Sequence, residues 1–528
     1  MNVAFDPWIP VITITGKPKL ASMREVFSEG DQFVDLAVRP HERVSLMRLF
    51  LCVAHASLQG PKNYDDWCEL PKRLPEKAEK YLSDWRESFE LFHPEKPWLQ
   101  VAELKAASNT GKSTENTSPV SLLDFDLATG NKPTLFDHEG QASSRRIELE
   151  RIVLNLLVFQ NFSSGGGLPV AKWQRVKTSQ VGNPDSPCLS QSMAHCLFRG
   201  SSLRETLYLN LPTFENVAKA YQTCSFNKKS VSFSDVPLGK PVWEFFPNSP
   251  EKHSDQAKNA TTTYIGRLVP ISRWIRLIEN SDRMYCCNGF KYDTFRDGFA
   301  AEPTASVHVV TKRDKKGLET KEREVVKVNP TKALWRQLSA LLIKRSAFGI
   351  GGPLAFENAP NKTIFDFQVC AIIRHQASID IAVESVFHIN PSLQNCIAIY
   401  HEEVVGTQKV LGAEGYARKL GKAIEVYRRE IDGDWANKLE RTKKIWILKE
   451  KLHSRATIHF WSAVETNLSL LMAHIEAIGA ENAMPTRKVW RDMLSATARE
   501  AYEIACGCET PRQMRAYAKG WQKLVEIR

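Results

Sequence analysis

The sequence predicts an α+β protein: a large mixed α/β N-terminal domain over residues 1–390, joined to an all-α four-helix bundle over residues 391–528. Three observations carry this expectation. Upstream of Asn390-Pro391, stretches with helical spacing of apolar residues are interleaved with alternating, strand-like ones. Downstream of it only helical spacing remains. At 528 residues the chain is long enough for about three globular units, or for one large domain with a smaller appendage.

The opening FDPWIPVITI reads as a compact strand or turn, in which Pro7 and Pro10 limit regular structure and Trp8 anchors the core. Helical patterning follows, with Val44, Met47, Leu51 and Ala54 on one face before the breaker Gly60-Pro61. Residues 105–146 are polar, small and turn-rich and read as a long loop. IELERIVLNLLVFQ restores a mostly buried helix that stops at NFSSGGGLP, and FRGSSLRETLYL starts another that Ser201 or Ser202 can cap. SVHVV and EVVKV suggest a hairpin with a charged tip, and residues 331–343 read as helical before GIGGP breaks them. IDIAVESVF reads as an apolar, helix-like stretch.

Beyond residue 390 four helices are expected. The first runs from Leu393 to Ile431 and is interrupted near Gly406 to Gly415, and the second starts near Asp434 and carries Trp446 and Trp461. Pro485 opens the third, with Trp490 and Leu494, and Thr510-Pro511 the fourth, with Tyr517 and Trp521. Amphipathic helices with short connections make a bundle.

Apolar residues at 43% and charged residues at 25% are ordinary globular values and exclude fibrous and wholly disordered classes. No apolar run approaches the roughly 18 residues of a membrane span, and MNVAFDPWIP lacks the layout of a signal peptide, so no membrane role and a cytoplasmic location are expected. Eleven cysteines without a repeating interval argue against a disulfide framework. The 71 basic against 60 acidic residues, net +11, favour a polyanionic partner.

Signs of chemistry are sparse. Gly111-Lys112-Ser113-Thr114 resembles the end of a phosphate loop, but Ala106 stands where the first glycine is needed. His401-Glu402-Glu403 lacks the second histidine of a zincin, and Cys286-Cys287 and Cys506-Gly507-Cys508 are half-sites without partners. No nucleophile elbow occurs, so the chain reads as not an enzyme, and no cofactor or metal is expected. Two segments stand apart. Gly165-Gly166-Gly167 offers backbone without side chains, able to press against a ligand or simply to link two elements. Arg374-His375-Gln376-Ala377-Ser378 places a glutamine and a histidine, donors and acceptors both, where they either cap the following stretch or project from it.

Taken in order, FDPWIPV, HPEKPWLQ (93–100), TLFDH (134–138), the glycine run before FRGSSLRETLYLNLP, and HQAS (375–378) resemble the CasA family, the large subunit of the type I-E CRISPR surveillance complex Cascade. The resemblance extends over the whole chain. It implies a non-catalytic subunit that recognises the protospacer-adjacent motif of double-stranded target DNA from the minor groove and starts strand separation for R-loop formation. By position, Gly165, Gly166 and Gly167 would be the glycine loop, and Lys291 the minor-groove lysine. Gln376 would be the wedge tip, flanked by His375, where the family often has asparagine, and Ala377. Phe136, Asp137 and His138 would dock on the guide RNA and a neighbouring Cascade subunit. The bundle, with basic residues such as Arg428, Arg429, Lys443 and Lys444, would help hold DNA and recruit the helicase-nuclease effector. The rival readings are a stand-alone metal-dependent DNA nuclease with a helical clamp, and a helical scaffold without a nucleic-acid role.

Overall fold

Pro40 at the first helical position presets φ, and Glu42 reaches back to the Arg39 amide at 2.8 Å, so a helix starts there and runs over Pro40–Leu58. Its residues from His41 to His55 are all buried, which makes it an axis of the core rather than a surface helix. The second buried helix, Leu149–Phe162, packs against it. Trp8 lies against this core with 1% exposure, its indole N–H bonded to the Val3 carbonyl at 2.7 Å.

The computed structural model describes residues 1–107, 117–127, 147–178, 185–189, 192–222, 225–226, 229–230, 238–292, 302–313, 317–345, 350–358, 364–375, 378–432 and 439–525. The phosphate-loop look-alike at 111–114, the start of the second C-terminal helix near Asp434, and Phe136, Asp137 and His138 lie outside them. Two compact units emerge: residues 1–360 with 364–388, and residues 389–528 with 361–363.

In the first unit, small sheets surround the buried helices. Ile9–Thr13 is the centre of a three-stranded sheet between Pro18–Ala21 and Phe33–Leu36. Arg283–Asn288 lies between Arg273–Leu277 and Ser118–Pro119. Phe365–His375 lies between Ser378–Ile389 and His195–Arg199. The expected hairpin is present as Val307–Arg313 with Glu319–Val325.

Two expectations are corrected. IDIAVESVF is strand, not helix: Ile379, Ile381, Val383 and Val386 are β-branched, and exposure alternates from Ala382 to His388 as a pleat requires. Residues 331–343 contain only a 3₁₀ turn, Leu334–Gln337, and a single α turn, Leu338–Leu341.

A buried ion cluster ties distant parts of this unit together. Arg48 and Glu302 pair with side-chain exposures of 0% and 1%, and Arg267 approaches the same carboxylate at 3.4 Å. Burial opposes ionisation of Glu302, but the two guanidiniums outweigh it and hold its carboxyl below the usual range. Arg48 also donates through Nε to Asn161 Oδ1 at 3.0 Å and the Leu268 carbonyl at 3.1 Å.

Beyond Ile389, which ends the strand Ser378–Ile389, the regular secondary structure among the second unit's described residues is helical. The first expected helix is three segments, Pro391–Asn395, Ile397–Val404 and Ala413–Asp432, and the second breaks at Asn467 into Leu439–Thr466 and Leu468–Glu476. Ala483–Ala505 and Pro511–Val525 follow. Gly520 permits close helix approach, since a Cβ there would collide with the Tyr502 hydroxyl and lie 2.8 Å from the Ala423 carbonyl. The carboxylates of the zincin look-alike are engaged by arginines: Arg487 and Arg491 each reach Glu403 at 2.7 Å.

Candidate nucleic-acid interface

The helix Leu149–Phe162 ends in polar residues that are fully buried, so each must find a partner. Gln160 clasps the backbone of residue 273 at two points: its Nε2 donates to the Arg273 carbonyl at 2.8 Å, and its Oε1 accepts from the Arg273 amide at 2.9 Å. A chain of buried hydroxyls continues outward, Ser163 to Ser186 at 2.6 Å and Ser186 to Ser272 at 2.7 Å, and Ser272 donates to the Gln160 carbonyl at 2.7 Å. Arg273, 1% exposed, donates to the Ser164 carbonyl at 3.0 Å, and burial pushes its guanidinium down to about 10.

The glycine run stands on this base. Gly165 is half-buried and donates its amide to Asp185 Oδ1 at 2.9 Å. Gly166 and Gly167 are exposed, and Gly166 has φ +145° with no atom within 4 Å of where a Cβ would be. The result is a side-chain-free stretch of backbone, exposed at Gly166 and Gly167, with Gly166 in an isolated β-bridge and Gly165 clamped at its root.

Lys291 is exposed between the buried rings of Phe290 and Tyr292. Its segment shares the same base: Gly289 donates to the Ser272 carbonyl at 3.2 Å, Phe290 donates to the Ile271 carbonyl at 3.4 Å, and the Ile271 amide donates to the Tyr292 hydroxyl at 2.8 Å. The backbone of 271–273 therefore joins the glycine turn and the lysine segment.

The third feature is the hairpin. Phe365–His375 pairs with His195–Arg199, with Cys370 opposite His195 at the start of that strand. From Ala371 to His375 it runs on past its partner, about 17 Å at strand rise. His375 closes the strand and Ser378 opens the return strand, while Gln376 and Ala377 lie outside the described residues. His195 is fixed from both sides, its Nε2 donating to the Cys188 carbonyl at 2.9 Å and its Nδ1 accepting from Thr304 Oγ1 at 2.8 Å. Burial pushes it down to about 4, in keeping with that neutral ring. Cys188 in turn donates its amide to the Asn161 carbonyl at 3.0 Å, so hairpin root and glycine turn both trace to the end of one helix.

Gln160, Ser163, Asp185, Ser186, Ser272 and Arg273 build this base, yet sequence reading passed over them. Their signal was available as polar residues inside otherwise apolar segments such as VFQNF and ISRWI. Of the basic residues expected on the helical unit, Arg428 and Arg429 both turn to Glu425, at 2.6 and 3.2 Å. Among the described residues no three His, Cys, Asp or Glu side chains are grouped to hold a metal ion, and no helix is long and apolar enough to cross a membrane.

The profile of the family described as CRISPR-associated protein Cse1 matches residues 2–501. A curated relative, the CRISPR-associated protein CasA/Cse1 of Thermus thermophilus, is 28% identical over 374 residues, 68% of this chain. The match spans 63% of that relative's own length. Among solved structures, a crystal structure of CasA from Thermus thermophilus superposes with a TM-score of 0.70 at 21% identity, covering 100% of this chain and 98% of that one. Thermobifida fusca Cse1 gives 0.71 at 19% identity, covering 99% and 98%. A chain of a CRISPR RNA-guided surveillance complex gives 0.71 at 16% identity, covering 99% of both. At such identities the likeness is one of fold.

Proposed function

The chain belongs to the CRISPR-associated Cse1 family, and from that premise we propose that it is the non-catalytic large subunit of a type I-E Cascade. In this reading it recognises the protospacer-adjacent motif of double-stranded DNA from the minor groove and starts R-loop formation. The observation that carries the reading is the exposed Gly166–Gly167 backbone on a buried, hydrogen-bonded root. A minor groove is only about 6 Å wide, and a turn without side chains is one of few protein shapes that enters it. A fixed root keeps the entropy lost on binding small. Groove edges there distinguish mainly A·T from G·C, so tolerance of several related motifs is expected.

Lys291 supplies the cation beside the turn. The hairpin carries the wedge, with Gln376 at its tip between His375 and Ala377. Opening a base step costs roughly a few kcal/mol of stacking, offset by the bend it allows and by the first guide–target pairs. Phe136, Asp137 and His138 meet the guide RNA and a neighbouring Cascade subunit. Residues 1–390 recognise the motif and dock the subunit. Residues 391–528 act as a four-helix bundle that helps hold DNA and recruit the helicase-nuclease. The comparisons lend no support to a stand-alone metal-dependent nuclease.

The test is Gln376→Ala in the assembled complex, with permanganate probing of the bases beside the motif. Reduced reactivity with retained duplex binding is expected, and unchanged reactivity would refute the wedge.

A further inference from the structure

Immediately after the glycine turn, the chain forms a small antiparallel sheet whose order is Lys105–Ala106, Ala171–Trp173, Val176–Lys177. Its register places Lys105 opposite Lys172, and Lys172 opposite Lys177. Partners directly opposite in a ladder share a face, so three lysines form one row across the sheet, and all three are exposed. On the opposite face Ala171 and Trp173 are buried while Val176, paired with Trp173, is exposed, and Trp173 meets Trp274 edge-on at 4.9 Å.

Like charges directly opposed on a sheet repel one another, so the register concentrates positive charge on this face at a local cost. The sheet is nonetheless held firmly. Ala171 and Thr178 exchange bonds, Thr178 N to the Ala171 carbonyl at 2.9 Å and Ala171 N to Thr178 Oγ1 at 3.0 Å. The tight turn has Gln174 at φ +53°, and its side chain donates to the Asn248 carbonyl at 2.9 Å. Arg175, also exposed, adds a fourth cation at that turn.

Two interstrand steps of about 4.8 Å give the row a span of roughly 10 Å. That is about three phosphate-to-phosphate steps along one strand of a duplex, at roughly 3.4 Å of axis each. We propose that Lys105, Lys172 and Lys177 form a phosphate-contact row that grips the DNA backbone flanking the duplex whose minor groove the glycine turn enters. The proposal rests on the minor-groove reading above for its location, and on the register for its chemistry. These contacts add affinity without sequence preference and fix the angle at which the duplex meets the turn.

The test uses the assembled complex carrying K105Q/K172Q/K177Q, with K105R/K172R/K177R as the charge-keeping variant. Anisotropy titrations on motif-bearing and motif-scrambled duplexes between about 50 and 200 mM salt give the slope of log affinity against log salt. The glutamine variant is expected to lose about 2 to 3 units of slope on both duplexes, at close to 0.9 per phosphate contact, with the ratio between duplexes unchanged and the arginine variant matching the parent. An unchanged slope overturns the proposal. So does loss of guide RNA from the complex with duplex slope intact, which would assign the row to RNA. If the parent complex binds both duplexes equally, the motif reading fails while the slope still decides the lysines.

Discussion

Replacing Glu302 by glutamine removes the carboxylate that faces both Arg48 and Arg267 and leaves two guanidiniums in a site where all three side chains are at most 2% exposed. Removing one partner of a buried ion pair costs about 3 to 5 kcal/mol. The lower end is expected here, because Arg48 keeps Asn161 and the Leu268 carbonyl as acceptors and Arg267 keeps the Thr261 carbonyl at 2.8 Å. At about 2 cal/mol/K of unfolding entropy per residue, 3 kcal/mol in the N-terminal unit lowers its melting temperature by about 4 °C. Scanning calorimetry of the full chain reads this shift. A cycle with Arg48→Met sharpens it: the double variant should cost about 1 to 3 kcal/mol less than the sum of the singles, since the orphaned charge of Arg48 is then gone. A shift below 1 °C, or additive costs, would refute the view that these charges compensate one another.

Three further outcomes follow from the same structure. His195 and His41, each pushed down to about 4 by burial, and His55, pushed down to about 3, stay neutral in the folded chain, whereas the unfolded chain takes up protons below about pH 6.5. Their contribution is complete above pH 6.5 and is lost as pH falls toward 4, about 2 kcal/mol per histidine by pH 5, so urea midpoints should drop steadily over that window, and a flat profile would contradict it. Gly166→Ala meets no atom and carries only the strain of φ +145°, about 1 to 3 kcal/mol within an exposed turn. It should weaken motif-duplex binding about tenfold or more, while Gly317→Ala, at φ +82° and equally unobstructed, leaves binding at the parent level. Trp8→Ala empties a site that is 1% exposed beside Trp98 and should cost about 3 to 5 kcal/mol in denaturant unfolding.

Local periodicity made the long helices legible. The apolar faces around Val44, Leu51, Leu154 and Trp490 are set by near neighbours, and the structure keeps each of them in a helix. IDIAVESVF was misread because a short apolar run fits a strand as well as a helix. Its β-branched residues, and the two-residue gap between Phe365–His375 and the strand Ser378–Ile389 that contains it, are the better guide. The glycine run stands out in the sequence, and so do single polar residues such as Gln160 and Ser272 inside apolar segments, but which of them pair to form the root does not. Arg48 and Glu302 are 254 positions apart, and Ser186 meets Ser272 across 86. The lysine row is invisible for the same reason, since Lys105 and Lys172 become neighbours only through strand register.

The most direct measurement places a photo-crosslinking residue at position 166, and separately at 376, in the assembled complex bound to a motif-bearing duplex. Crosslinks from 166 to the motif itself and from 376 to the first base pairs beside it are expected. Crosslinks from either position confined to guide RNA or to other protein subunits would contradict minor-groove recognition by this chain.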